Sequence, residues 1–253
     1  MTASLITRVR EVLVSGPTAS AAFVRRFAQE TLPPGLSRVL PTGSSLYEIA
    51  PQLGRLLANL VLRDGRRRVL EFGAGASSEV LATALVETGG GMLTSIEADP
   101  AWCRDRWSAV EATGADAVLV PAMLRFAISP LGAYFAQPAA IPAVRDRGPF
   151  DLVVVDAPDG RHGRTGTLHQ VAPWLARGAL VVVDDAARPL IQGMLAGWLR
   201  IYRGLTLLGQ DTSFGGRGVA VLGWDGGPAK FSLRSWLTSA YEAFSLERRR
   251  RER

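Results

Sequence analysis

From residue 66 onward the chain alternates short, nearly continuous apolar runs with longer stretches whose apolar residues recur every three or four positions. The runs at 68–72, 93–97, 117–120, 150–156 and 180–184 have strand length, and their continuity is that of strands buried on both faces. Helical spacing fills the intervals at 77–88, 100–113, 165–176 and 187–201, with Asp99 as a cap and Pro100 at a first helical position. This alternation predicts a mostly parallel sheet with helices on both faces. The end of the chain reads differently. Strands at 205–209 and 219–223 flank the Gly-rich turn 214–218 with no room for a helix, so they pair antiparallel at a sheet edge. An amphipathic helix carrying Phe231, Trp236, Leu237 and Phe244 follows.

Residues 1–62 contain no strand pattern. Leu5, Ile6, Val9, Val12 and Leu13 share one helical face, and Ala22, Phe23, Phe27 and Ala28 a second, which ends at Pro33-Pro34-Gly35. A long stripe from Leu46 to Val61 forms a third helix, capped by Ser44 or Ser45. We read 1–62 as a helical cover on a core domain of residues 63–253. Residues 121–149, rich in Ala and Pro, form the one long irregular stretch, a length that usually marks a functional loop.

Composition narrows the class. Apolar residues make up 47% of 253, which excludes a disordered chain. No apolar run approaches the roughly 20 residues of a membrane span, and Arg8, Arg10 and Glu11 interrupt any apolar leader. A cytoplasmic location without a membrane partner is expected. The single cysteine, Cys103, excludes an internal disulfide and reads as a packing residue. Half of the net charge of +6 sits in the tail 247–253, five arginines against two glutamates. The body is close to balanced, so no nucleic-acid face is expected. The tail is a solvated end or a docking arm for an acidic partner.

Two motifs carry the chemistry of a nucleotide-like ligand. The first, Val69-Leu-Glu-Phe-Gly-Ala-Gly-Ala-Ser-Ser-Glu79, follows the first strand and opens a helix. Gly73 and Gly75 let the backbone turn and approach a ligand, and the helix start attracts a carboxylate. A dinucleotide site would place a third glycine where Ser78 stands. The second motif, Thr94-Ser-Ile-Glu-Ala-Asp-Pro100, ends the second strand on Glu97, about 20 residues later, where an acid accepts ribose hydroxyls. Together they resemble the Rossmann-like class I methyltransferases over 66–225, with their seven-stranded sheet. The resemblance implies that Glu71, Gly73, Gly75 and Glu97 contact S-adenosylmethionine and that Val120, Pro121 or Ala122 lies near adenine.

A third group of residues, Asp156, Asp184 and Asp185, ends the fourth and fifth strands, so the three acids converge beside the ligand cleft. Clustered carboxylates repel unless they share a proton or a cation, and oxygen ligands suit Mg2+ or a similar divalent ion. This resembles the catechol-type O-methyltransferases, with Asp185 where that family has Asn and Ala157-Pro158 where it has a lysine. Ser45-Leu-Tyr-Glu-Ile, Glu97-Ala-Asp-Pro-Ala-Trp102 and Val155-Asp-Ala-Pro-Asp-Gly160 resemble the glucuronoxylan O-methyltransferases more loosely. Both imply O-methylation of a small-molecule or sugar hydroxyl. Asp156 or His162 would take the hydroxyl proton, and Arg161 and Arg164 are candidates for binding a substrate carboxylate or phosphate. Alternatives are an aminopropyltransferase of the spermidine synthase type and a non-catalytic binding module. A homodimer through the apolar N-terminal helices is left open.

Overall fold

The apolar runs do become strands with both faces covered. In the computed structural model, Arg68–Phe72 (β1), Met92–Glu97 (β2), Asp116–Pro121 (β3), Phe150–Val155 (β6), Leu175–Asp184 (β7), Leu205–Asp211 (β8) and Val219–Trp224 (β9) form one sheet. Its order is β3-β2-β1-β6-β7-β9-β8. Pairing is parallel from β3 to β7, and β9 runs antiparallel to both β7 and β8. The structure describes residues 18–43, 48–126, 133–135, 140–158, 164–230 and 237.

Strand periodicity sends alternate side chains to two cores. Leu152, Val154, Leu180, Val182, Val219 and Val221 enter one; Val153, Val155, Val181, Val183, Ala220 and Leu222 enter the other. The first core is closed by Thr18–Gln29 (α1), Pro34–Val39 (α2), Pro51–Leu62 (α3), Ala76–Glu87 (α4) and Arg104–Ala112 (α5). The second is closed by Ala140–Arg147 (α6), Thr165–Val171 (α7) and Pro189–Ile201 (α8). The N-terminal helices therefore form part of one complete layer, with Leu53, Leu56, Leu57 and Leu60 of α3 all buried in it. No helix among the described residues is long and apolar enough to cross a membrane.

Several boundaries differ from the sequence reading for local reasons. Pro34 and Pro51 each occupy the first turn of a helix, where a missing N–H costs nothing, so Pro34 starts α2 and α3 begins after the serines. Pro173 ends the helix expected over 165–176 in a 3-10 turn, and β7 starts at Leu175, five residues before the apolar run. Residues 121–149 are not wholly irregular. They hold a short antiparallel pair, Leu124–Phe126 (β4) and Ala133–Phe135 (β5), and helix α6.

The strand order reverses at β1, whose neighbours are β2 and β6. Ligands of open α/β sheets bind at such a reversal, outside the carboxyl ends of the strands. Asp151 lies at the opposite end, accepting the backbone N–H groups of Arg67 and Arg68 at 3.0–3.1 Å.

Candidate active site

A cavity of about 700 Å3 opens at the reversal, over the turn from β1 into α4. Gly73 sits there at φ +95°, and a Cβ on it would come 2.8 Å from the Cβ of Ala157, which follows β6. Only glycine lets the two turns touch. A Cβ on Gly75 would meet nothing within 4 Å, and both glycines line the cavity. The backbone N–H groups that begin α4 therefore border open space.

Glu71 lies beneath this turn, fully buried. Its Oε2 accepts the hydroxyls of Ser78 and Ser95 at 2.5 and 2.6 Å, and Ser78 Oγ accepts the Gly75 N–H at 2.9 Å. The residue ties β1, β2 and α4 together beneath the cavity. Burial raises its pKa to about 7, against the opposing pull of three serine hydroxyls. A carboxyl that binds its proton more tightly folded than unfolded loses stability as pH rises from its unfolded value through its folded one. The urea midpoint is expected to fall between pH 5 and pH 8, this residue contributing about 3 kcal/mol. Glu71→Gln should remove its share of that slope; an unchanged slope in urea melts would refute the assignment.

Glu97 ends β2 facing the cavity. Its Oε2 accepts the Ala74 N–H at 3.0 Å and its Oε1 the Asp99 N–H at 2.9 Å, which fixes the carboxylate beside the glycine turn. Burial raises its pKa. Asp99 caps no helix, since α5 starts only at Arg104; its Oδ1 closes a turn onto the Ala101 N–H. That turn presents Trp102, 62% exposed, to the cavity, a residue the sequence reading had placed within a helix. Ala122 is 1% exposed, donates its N–H to the Glu97 carbonyl and packs in the second core. Its backbone thereby lies beside Glu97 at the end of β2. Cys103 is buried with its thiol pushed up to about 11, consistent with a packing residue.

The three acids do converge. One carboxylate oxygen from each of Asp156, Asp184 and Asp185 lies within 4.8 Å of the others. Asp184 is pushed up to about 7 by burial and by the charges of Asp156 and Asp185. Asp185 adopts φ +63° after β7 and does not cap α8, which starts from Arg188. The sequence reading missed what organises this group. Arg164, 2% exposed, donates Nε to the Pro158 carbonyl at 2.9 Å and Nη1 to the Val155 and Asp184 carbonyls at 3.3 and 3.0 Å. Its Nη2 reaches Asp156 Oδ1 at 3.3 Å and Asp185 Oδ2 at 2.9 Å. These five contacts occupy the guanidinium, so Arg164 is not a substrate-binding arginine. Two buried oxygens, Asp184 Oδ2 and Asp185 Oδ1, accept no hydrogen bond. Arg188 Nη2 approaches the latter at 3.2 Å as an ion pair only.

Residues 70–186, which hold the glycine turn, Glu97, the three acids and Arg164, match the family model of a methyltransferase domain. The match covers a little under half of the chain. The chain shares its fold with an O-methyltransferase from Bacillus cereus in complex with S-adenosylhomocysteine (16% identity, 83% of this chain and 100% of that one, TM-score 0.55). It shares the fold equally with the O-methyltransferase TomG of Streptomyces achromogenes, involved in tomaymycin synthesis and in complex with S-adenosylmethionine (21% identity, 84% and 100%, TM-score 0.55). The SAH-bound methyltransferase PaMTH1 of Podospora anserina is a third (15% identity, 88% and 97%, TM-score 0.55). No protein of curated function matches the chain significantly. His162 and Arg161 lie outside the described residues. His169 is in α7, its Nδ1 2.7 Å from the Tyr202 hydroxyl, and burial pushes its pKa down to about 4.

Proposed function

We propose that the chain is an S-adenosylmethionine-dependent O-methyltransferase acting on a small-molecule or sugar hydroxyl, with a divalent cation such as Mg2+ held by Asp156, Asp184 and Asp185. The observation that carries it is Asp184 Oδ2, a buried carboxylate oxygen that accepts no hydrogen bond, in a cluster of three carboxylates beside the glycine turn. Buried carboxylate oxygens without a donor are costly, and a hard cation satisfies them. The three carboxylates against the guanidiniums of Arg164 and Arg188 leave the cluster one net negative charge, which also favours a cation. The solved O-methyltransferases of the same fold, with S-adenosylmethionine or S-adenosylhomocysteine bound, support the choice of methyl donor.

S-adenosylmethionine supplies a methyl on a sulfonium, whose sulfur keeps the bonding electron pair when the acceptor oxygen takes the methyl. Gly73, Gly75 and the N–H groups opening α4 receive its carboxylate end, and Glu97 accepts its ribose hydroxyls. The cation would lower the pKa of the acceptor hydroxyl and hold it in place. Asp156, whose side chain is 25% exposed on the cavity wall, takes the acceptor proton, with His162 the alternative base from the sequence. Arg164 keeps Asp156 and Asp185 in position. The rest is alignment of oxygen, methyl and sulfur, which is positioning work. The proposed setting is the cytoplasm, and the proposed partner a small-molecule acceptor.

The test is transfer of a labelled methyl from S-adenosylmethionine to a panel of phenols, sugars and hydroxy acids, with and without EDTA. Product carrying the label on oxygen, lost with EDTA and restored by Mg2+, is the expected result. Label on nitrogen, or turnover indifferent to EDTA, would contradict the acceptor atom or the metal respectively.

A further inference from the structure

We propose that Arg106 is a positioning residue for the methyl donor: through Glu48 and Glu79 it holds three wall segments of the cavity in the spacing that S-adenosylmethionine needs. This rests on the methyltransferase reading of the cavity. The segments come from distant parts of the chain. Ile49 precedes α3, Gly73, Gly75 and Ser77 belong to the turn into α4, and Glu97 and Trp102 flank the turn before α5. Arg106 lies in the first turn of α5, four residues after Trp102.

Its guanidinium joins all three. Nη2 donates to Glu48 Oε1 at 2.8 Å, and Nη1 to Glu79 Oε2 at 3.1 Å. Glu79 lies in the first turn of α4, and Glu48 is the residue before Ile49. The other oxygen of Glu48, Oε2, accepts the Gly43 N–H at 3.2 Å, and its carbonyl accepts Arg217 Nη2 from the turn before β9. Ile49 is thereby fixed at the cavity wall, 3% exposed.

Two observations separate this role from support of the fold. The positive end of the helix dipole disfavours a cation in a first turn, so α5 itself gains nothing from Arg106 there. The packing of α5 runs through Cys103, Trp107 and Val110, which are buried in the first core, whereas 49% of the Arg106 side chain is exposed. Loss of the guanidinium therefore leaves the helix seated and frees the two acids that border the cavity walls. A ligand that must first order loose walls binds more weakly than one that meets walls already held. One planar fork shared by two acids on separate elements supplies that order. Because the pairs are partly exposed, added salt weakens them.

The experiment titrates the full-length protein with S-adenosylhomocysteine, in low salt and in about 0.5 M sodium chloride. It compares the wild type with Arg106→Gln, Glu48→Gln and Arg106→Gln/Glu48→Gln, and records the thermal melt of each. Arg106→Gln should weaken binding roughly three- to tenfold in low salt, while melting within a few degrees of the wild type. The double variant should bind no more weakly than Arg106→Gln, because Glu48 acts through the arginine. High salt should bring the wild type down toward Arg106→Gln and move that variant little. Unchanged affinity in Arg106→Gln overturns the proposal, whether or not its melting point falls. So do additive losses in the double variant, or equal salt sensitivity of the wild type and Arg106→Gln. Failure of the wild type to bind S-adenosylhomocysteine overturns instead the reading on which the proposal rests.

Discussion

Arg164→Met should lower the thermal midpoint by on the order of 10 °C and abolish methyl transfer. Five hydrogen bonds disappear together, and the carboxylates of Asp156 and Asp185 lose the cation that joins them. Removing one partner of a buried ion pair costs about 3–5 kcal/mol, because the remaining charge stays buried. At this chain length each kcal/mol shifts the midpoint by roughly 2–4 °C. The carbonyls of Val155 and Asp184, at the ends of β6 and β7, also lose a donor, so the strand ends that carry the acids should separate. The diagnostic control is Arg164→Met/Asp185→Asn. Neutralising the orphaned acid should return part of the stability and none of the activity. If the single variant melts within a degree of the wild type, Arg164 does not hold the cluster together.

Asp184→Asn should act in the opposite direction on stability. Its carboxyl is 4% exposed and pushed up to about 7 by burial and by its two acidic neighbours. A carboxyl so raised is penalised in the folded metal-free protein as pH rises from the unfolded value to about 7, and fully so above it. The isosteric amide removes that penalty, so the metal-free variant should exceed the metal-free wild type at pH 8 by a few kcal/mol. The two should converge near pH 4. Methyl transfer by the variant should fall roughly 10²–10³-fold. Saturating Mg2+ should stabilise the wild type and leave the variant unmoved, because only a folded state with an intact site gains from the ion. Melts at several pH values, with and without Mg2+, read all of this. Equal stabilisation of both proteins by Mg2+ would remove Asp184 from the proposed ligand set.

The sheet was legible because its strands are buried on both faces. Runs such as Leu152-Val-Val-Val155 and Leu180-Val-Val-Val183 leave little choice of structure, and the acids at their ends mark the edge of the cavity. The elements within 121–149 were not legible: a three-residue strand shows too little alternation to stand out. Arg164 was invisible as an organiser because its partners are mostly backbone carbonyls from strand ends far away in the chain, which no motif encodes. The sequence offers three arginines between the two acidic strand ends, Arg161, Arg164 and Arg177, with nothing to single out Arg164. The burial of Glu71 and Ala122 was not legible for a related reason. Position in a motif gives proximity to a ligand site, but it does not tell which way a side chain faces, and here both face the interior. Trp102 was hidden by reading Pro100 as a helix start when the helix begins four residues later.

The most direct test of the central claim is a calorimetric titration of the purified protein with S-adenosylmethionine, with NADH as a control and Glu97→Ala in parallel. The structure predicts micromolar binding of S-adenosylmethionine, at least tenfold weaker in the variant because its ribose would lose a charged acceptor worth roughly 1.5–3 kcal/mol, and no binding of NADH. Binding of NADH in its place, or of neither compound, would contradict the assignment of this cavity to a methyl donor.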